Sequence, residues 1–264
     1  MLKLDNVSKL FNPGTPDEKI ALLGIDLELH AGDFVTVIGS NGAGKSTLMN
    51  IISGVMKPDL GEALIEGKSI SHLAEYQRSR WIGRVFQDPM AGTAPHMTIE
   101  ENLAMAYKRG KSRKLSFGVN AGRRKLFREQ LEHLGIGLEN RLRAKVGLLS
   151  GGERQALSLL MATFTQPQIL LLDEHTAALD PSRAELITKL TETIVREKKL
   201  TTLMVTHNME QAIRLGNRLI MMDKGSVILD IDESRKKDLT VERLLGEFEA
   251  ISGHKLADDR MMLG

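Results

Sequence analysis

The sequence predicts an α/β fold: a mostly parallel sheet with flanking helices and an N-terminal antiparallel β layer. Three observations predict it. The largely apolar runs Phe34-Val35-Thr36-Val37-Ile38, Ile169-Leu170-Leu171-Leu172 and Leu200-Thr201-Thr202-Leu203-Met204-Val205 suit strands buried on both faces. The first 29 residues alternate instead, with Leu2, Leu4 and Val7 and then Leu23, Ile25, Leu27 and Leu29 expected on one side, as in antiparallel strands. Apolar spacing turns helical from Thr98 to Ala106 and again from Lys125 to Leu134.

The two N-terminal strands flank Pro13-Gly14-Thr15-Pro16-Asp17, a turn-rich loop. Phe11 stands just before it in a loop-like setting, suited either to a minor core or to stacking an adenine ring. Ala31-Gly32-Asp33 turns the chain into the strand 34–38, and Gly39-Ser40-Asn41-Gly42-Ala43-Gly44-Lys45-Ser46-Thr47 follows before the helical pattern Leu48, Ile51, Ile52. A strand, a glycine-rich turn and a helix start are the context of a phosphate-binding loop. Gly39 and Gly42 can take positive φ, which lets backbone N–H groups converge on an anion. The helix presents its positive dipole end to the same point. The spacing fits G-x-x-x-x-G-K-[ST], in which Lys45 reaches the terminal phosphates and the Ser46 hydroxyl ligates Mg²⁺. Gly61 to Gly67 reads as one more short strand.

Trp81 to Phe86 is strand-like and ends at Gln87-Asp88-Pro89, with a polar amide at the strand's carboxyl end. Glu100 and Glu101 mark the first turn of the helix that begins near Thr98. Residues 108–128 hold nine Lys/Arg and no acidic residue. Such a stretch suits either a nucleic-acid or phospholipid contact or a solvated basic face, and with Phe117 and Phe127 as its aromatics it makes a poor base-stacking platform. Leu149-Ser150-Gly151-Gly152-Glu153-Arg154-Gln155 opens a helix, with Ser150 and Glu153 at capping-box spacing. The run 169–172 ends in Asp173-Glu174, carboxylates whose burial is costly unless they meet metal, water or ligand. Asp173 is placed to hold Mg²⁺ and Glu174 to polarise a water. Asp180-Pro181 starts a further helix, and the run 200–206 ends in His207. Strands near 217–222 and 225–231 close the sheet. Val241, Leu244, Leu245 and Phe248 then mark an amphipathic helix, before a tail rich in Asp, Lys and Met.

Composition narrows the chemistry. The 264 residues allow one large α/β domain or two small ones, and a net charge of +2 does not argue for nucleic acid globally. Zero cysteine excludes disulfides, thiolate metal sites and a cysteine nucleophile. No apolar stretch approaches the ~18 residues of a membrane span, and the N-terminus lacks a signal-peptide core, so any membrane role is expected to come through a partner.

Taken together these motifs resemble, over about residues 1–235, the ATP-binding subunit of an ATP-binding cassette (ABC) transporter, a P-loop NTPase. The loop at 39–47 matches that family's Walker A and 149–155 its signature, which other phosphate-loop enzymes lack. Asp173-Glu174 match the end of Walker B, Gln87 the Q-loop, Ala178-Leu179-Asp180 the D-loop, His207 the switch loop, and Phe11 the adenine-stacking aromatic. The resemblance implies ATP and Mg²⁺ as cofactors and a head-to-tail dimer with a second nucleotide-binding subunit, expected to be identical. It implies nucleotide contacts from Gly39, Asn41, Gly42, Gly44, Lys45, Ser46 and Thr47, and from Ser150, Gly151, Gly152 and Asp180. Ser46, Gln87 and Asp173 would hold the metal; Glu174, His207 and Gln87 would serve hydrolysis. It further implies integral membrane permease subunits, an extracytoplasmic solute-binding protein and a place at the cytoplasmic face of the membrane. Residues of about 88–165 would form the helical subdomain and 236–264 a C-terminal helix and tail, too short for the regulatory β-domain of sugar importers. His175 departs from the family, which usually has Pro there. The chain looks most like a group near the amino-acid/small-solute importer ATPases; the rival is a soluble cassette acting on nucleic acid or the ribosome through residues 108–128.

Overall fold

A computed structural model describes residues 1–111 and 118–253. The chain divides into two compact units, residues 1–78 with those from 201 onward, and residues 79–200.

In the first unit, β1 (Leu2–Phe11) pairs antiparallel with β2 (Lys19–Leu29) and with β4 (Leu60–Ile65), and β5 (Lys68–Ser69) completes the sheet order β2-β1-β4-β5. The alternation expected along β2 fails at one place. Leu22 is buried and Leu23 is 56% exposed, whereas Ile25, Leu27 and Leu29 are buried as expected. The register jumps between Val7↔Ile25 and Lys9↔Leu22, and Gly24 takes φ +57. This is an extra residue on β2, and such a bulge sends the preceding side chains to the opposite face.

The same unit carries β3 (Phe34–Gly39), parallel to both β8 (Thr201–Val205) and β9 (Arg218–Asp223), with β10 (Ser226–Ile231) antiparallel to β9. All six residues of β3 and all five of β8 are buried, as continuous apolar strands require. Helices α1 (Lys45–Ser53), α2 (Glu75–Arg78), α7 (Met209–Arg214), α8 (Glu233–Lys236) and α9 (Val241–Ser252) complete it. The stripe expected on α9 closes a core: Leu244 and Phe248 are fully buried against Ile38, Met209, Leu219 and Met221, with Val241 and Leu245 packed at its edge. Each such side chain is worth about 1.5–3 kcal/mol of burial. The polar tail after 253 lies outside the described residues.

In the second unit, β6 (Ile82–Val85) runs parallel to β7 (Ile169–Asp173), in register from Ile82↔Ile169 to Val85↔Leu172. The α-helices α3 (Ile99–Tyr107), α4 (Ala121–Glu132), α5 (Gly151–Thr163) and α6 (Pro181–Lys198) accompany them. Thr98 caps α3 in a complete capping box with Glu101. Tyr107, Phe127 and Phe164 meet edge to face, with ring centroids 5.8–6.4 Å apart. Phe127 is therefore a core residue of this unit rather than part of a surface platform. Phe117, Arg113 and Lys114 of the basic stretch lie outside the described residues. Arg124 in that stretch binds Glu100 through two nitrogens, at 2.7 and 3.1 Å, and Arg123 donates to the Gly118 carbonyl at 2.7 Å.

Candidate functional site

Within the first unit the loop between β3 and α1 is built by close approach of its neighbours. Gly39, Gly42 and Gly44 take φ of +154, +82 and +102. A Cβ on Gly39 would lie 2.2 Å from the Met222 carbonyl oxygen, and one on Gly44 would lie 2.4 Å from that of Ala21. Only glycine meets both demands, the backbone conformation and the space. The loop is clasped from β2 and from the β9–β10 turn. Ser40 Oγ donates to Asp223 Oδ1 at 3.0 Å, Gly225 N to the Ala43 carbonyl at 3.1 Å, and Leu23 N to the Gly225 carbonyl at 2.9 Å.

Helix α1 starts at Lys45 with Gly44 as its N-cap, so no side chain caps its first turn and no acidic residue sits there. Such an end is suited to an anion. Lys45 is buried, and its Nζ donates to the carbonyls of Gly39 at 2.6 Å and Ser40 at 3.0 Å, spanning its own loop. Ser46 is exposed on the first turn and Thr47 half-buried; Asn41 is exposed beside Gly42. At the far end of α1, Arg78 is fully buried and donates to the carbonyls of Ile51 at 2.6 Å and Ile52 at 3.0 Å, and to those of Ser71 and Leu73. Burial lowers its pKa, yet four carbonyls receive the guanidinium. The phosphate-loop helix is thereby anchored at its carboxyl end by a residue that spacing alone did not single out.

Phe11 ends β1 opposite Lys19 and is half-buried, so it belongs to a strand end and not to a loop. Lys9 Nζ lies 6.0 Å from its ring centroid. His207 follows β8, which neighbours β3 in parallel through Val37↔Val205. His207 and the glycine loop consequently leave adjacent strands at the same, carboxyl end, where ligands of such sheets bind.

The second unit gathers the other motif residues. Ser150 is the N-cap of α5, and the expected capping box is complete: Glu153 N donates to Ser150 Oγ at 3.3 Å and Ser150 N to Glu153 Oε2 at 2.7 Å. Burial opposes the ionised form of Glu153, but the Ser150 N–H and hydroxyl and Arg141 outweigh it and hold its carboxyl below the usual range. Gly151 and Gly152 leave room for neighbours of the D-loop and α6: added Cβ atoms would meet Leu179 Cδ2 at 3.3 Å and Arg183 Cδ at 3.1 Å. Asp180 caps α6 by accepting from Arg183 N at 3.1 Å, with Pro181 beginning the helix. Gln155 is fully buried and donates from Nε2 to the Phe86 carbonyl at 3.2 Å. The signature helix is thus tied to the residue preceding Gln87, which is exposed just beyond β6.

Asp173 ends β7, and its Oδ2 accepts from Arg84 Nη2 at 2.8 Å. The pair is largely buried, at 11% and 14% side-chain exposure. The Arg84 guanidinium also covers the Phe86 ring, 4.8 Å from its centroid. Glu174 takes φ +46, unusual for a non-glycine residue. His175, next in the chain, is buried, with Nε2 3.0 Å from Thr191 Oγ1. Thr191 donates its own hydroxyl proton to the Ile187 carbonyl at 2.8 Å. His175 Nε2 must therefore carry a hydrogen and donate, leaving Nδ1 as a buried acceptor with no donor among the described residues. Burial pushes the imidazole pKa down to about 4, so the ring is neutral.

Each unit offers a ligand type that suits a hard, largely hydrated cation. In the second unit Asp173 has one carboxylate oxygen beyond the one bonded to Arg84, and in the first Ser46 has an exposed hydroxyl. Mg²⁺ commonly takes one or two carboxylates and completes its shell with phosphate oxygens and water, so each residue taken by itself is of a kind that Mg²⁺ accepts.

The ABC transporter family profile matches residues 22–177. The chain belongs to the ABC transporter family. It is 49% identical over 251 residues to the tyrosine transport ATP-binding protein of Clostridioides difficile, covering 94% of this chain and 99% of that relative. It is 33% identical over 228 residues to the glycine betaine/carnitine/choline transport ATP-binding protein OpuCA of Bacillus subtilis, covering 86% of this chain and 57% of that one. Among solved structures it is similar to the dimeric post-hydrolysis state of the ATP-binding cassette MJ0796 bound to ADP and Pi. That match has a TM-score of 0.76 and 31% identity, and covers 88% of this chain and 99% of that one. This member of the ABC transporter family is thus an ATP-binding and ATP-hydrolysing subunit that energises transport of a small solute. Among the described residues no helix is long and apolar enough to cross a membrane.

Proposed function

We propose that this ATPase powers the import of tyrosine or a closely related amino acid. The 49% identity to a tyrosine transport ATP-binding protein, nearly end to end in both chains, carries that reading. The relatives named as import ATP-binding proteins for spermidine and putrescine share only 32–34% identity. On this reading two copies of the chain work head to tail at the cytoplasmic face of a membrane, held by permease subunits, whose helix would enter the helical subdomain at about 88–165. An extracytoplasmic binding protein delivers the solute. The dimeric cassette structures support the pairing.

In this scheme Phe11 stacks on adenine. The loop residues Gly39, Asn41, Gly42 and Gly44, with Lys45 and Thr47, hold the phosphates. Ser150, Gly151 and Gly152 of the second copy cap the γ-phosphate, with Asp180 alongside. Ser46, Asp173 and Gln87 hold Mg²⁺, which when bound offsets charge on the phosphate oxygens. Glu174 accepts the proton of the attacking water, and His207 positions that water against the γ-phosphate. Catalysis in such chemistry is mostly positioning and charge stabilisation, which a site completed only on closure couples to motion.

The test is uptake of radiolabelled tyrosine in cells lacking this chain. Loss of uptake, restored by the wild type and not by Glu174→Gln, supports the reading. Unchanged tyrosine uptake in the deletion strain refutes tyrosine as the solute.

A further inference from the structure

We propose that Lys19 is a second cation of the nucleotide site, contacting the polyphosphate of a nucleoside di- or triphosphate across the outer side of the glycine loop. The inference rests on the phosphate-loop reading above and adds a residue outside the matched motifs. Lys19 opens β2 and stands directly opposite Phe11 on β1. Directly paired residues of antiparallel strands project on the same face, so ring and ammonium share one side of the β layer. The Lys19 ammonium reaches the loop itself: Nζ lies 3.4 Å from where a Cβ of Gly42 would stand. Gly42 itself takes φ of +82.

Two features make the placement functional rather than incidental. First, Lys45 is buried and turned onto the carbonyls of Gly39 and Ser40, whereas Lys19 is exposed on the open side of the same loop. A ligand approaching Gly42 meets the Lys19 charge first. Second, the segment leading into Lys19 is braced. Glu18 Oε2 accepts from Gly14 N at 2.7 Å, Glu18 N donates to the Thr15 carbonyl at 3.0 Å, and the Thr15 hydroxyl donates to the Asn12 carbonyl at 2.8 Å. The turn that separates the strands therefore delivers Lys19 to one place. A charge-assisted contact with phosphate is the interaction an ammonium makes best there.

The experiment measures ADP affinity by isothermal titration calorimetry for wild type, Lys19→Ala, Lys19→Arg and Lys45→Ala, at two ionic strengths. Lys19→Ala is expected to raise the ADP dissociation constant about tenfold and to flatten its salt dependence, and Lys19→Arg to restore most of the affinity. Because Lys19 is exposed, folding of the variant should be unchanged, checked by its melting curve. If Lys19→Ala binds ADP like wild type while Lys45→Ala loses it, the role of Lys19 is refuted and the phosphate loop stands. If Lys19→Arg is as weak as Lys19→Ala, the charge is not what matters and the proposal falls. If Lys45→Ala also binds normally, the phosphate-loop reading fails instead.

Discussion

Arg84 and Asp173, 89 positions apart in sequence, form a 2.8 Å ion pair near the carboxyl ends of two adjacent parallel strands. Both side chains are nearly buried. Removing one partner of such a pair leaves the other charge uncompensated, which typically costs about 3–5 kcal/mol, while replacing both costs far less. Arg84→Met is therefore expected to lower the stability of the nucleotide-free chain by about 3 kcal/mol. The double variant Arg84→Met/Asp173→Asn should recover most of that loss. Urea denaturation of wild type, Arg84→Met, Asp173→Asn and the double variant closes a double-mutant cycle. Additive effects would show that the pair contributes no coupling.

The glycine loop yields a prediction of a different kind. An alanine at position 39 must displace the Met222 backbone, since its Cβ would sit 2.2 Å from that carbonyl oxygen. An alanine at position 253 meets nothing within 4 Å among the described residues and shares only the positive φ, +69. Gly39→Ala should thus lower stability by about 2 kcal/mol or more and abolish measurable ATP binding, while Gly253→Ala should cost about 1 kcal/mol and leave binding intact. Thermal melts and equilibrium titration with a fluorescent nucleotide check both. Normal ATP affinity in Gly39→Ala would mean that the β9–β10 turn yields and the clasp is not rigid.

Glu174 tests the chemistry itself. With φ +46 it stands at the turn between β7 and the buried His175, and the proposed role is to accept a proton from water. Glu174→Gln keeps the shape and removes the base, so hydrolysis should fall by about 100-fold or more while ATP binding persists. The ATP-loaded variant should then elute as a dimer on size-exclusion chromatography and as a monomer with ADP. Persistence of the monomer at saturating ATP would count against completion of the site in trans for the isolated subunit.

What was legible in the sequence was whatever depends on local spacing. The glycines at 39, 42 and 44, the capping box of Ser150 and Glu153, Asp180 before Pro181 and the stripe Leu244/Phe248 are each set by residues within a turn or two of one another. The side of β2 on which Leu23 lies was not legible, because one bulged residue reverses the alternation and nothing but Gly24 marks it. Arg84, Arg78 and Lys19 were missed for a related reason. Each is an ordinary basic residue by pattern, and its importance arises only when chain pairing brings it to Asp173, to the end of α1 or to Gly42. His175 was visible as an unusual residue, but its burial and its bond to Thr191 needed the packing of α6.

Lys236 gives a pH dependence whose sign is fixed by burial. Its ammonium, on α8, is 6% exposed and donates to the carbonyls of Leu215 and Gly216, just past the end of α7. Burial pushes its pKa down to about 8 from the ordinary 10.5. Between those values the unfolded chain holds a proton that the folded chain has released. Stability linked to this group therefore rises with pH from about 8 to 10.5, and is flat below 8, where both states are charged. Lys236→Met lacks this linkage, so the stability of wild type minus that of Lys236→Met should rise from pH 8 to pH 10, and taking the difference cancels the titration of all other groups. Urea midpoints at pH 7.5, 9 and 10 measure it. A difference that falls over that range would mean that the carbonyls stabilise the ammonium more than burial penalises it, and that its folded pKa lies above the ordinary value.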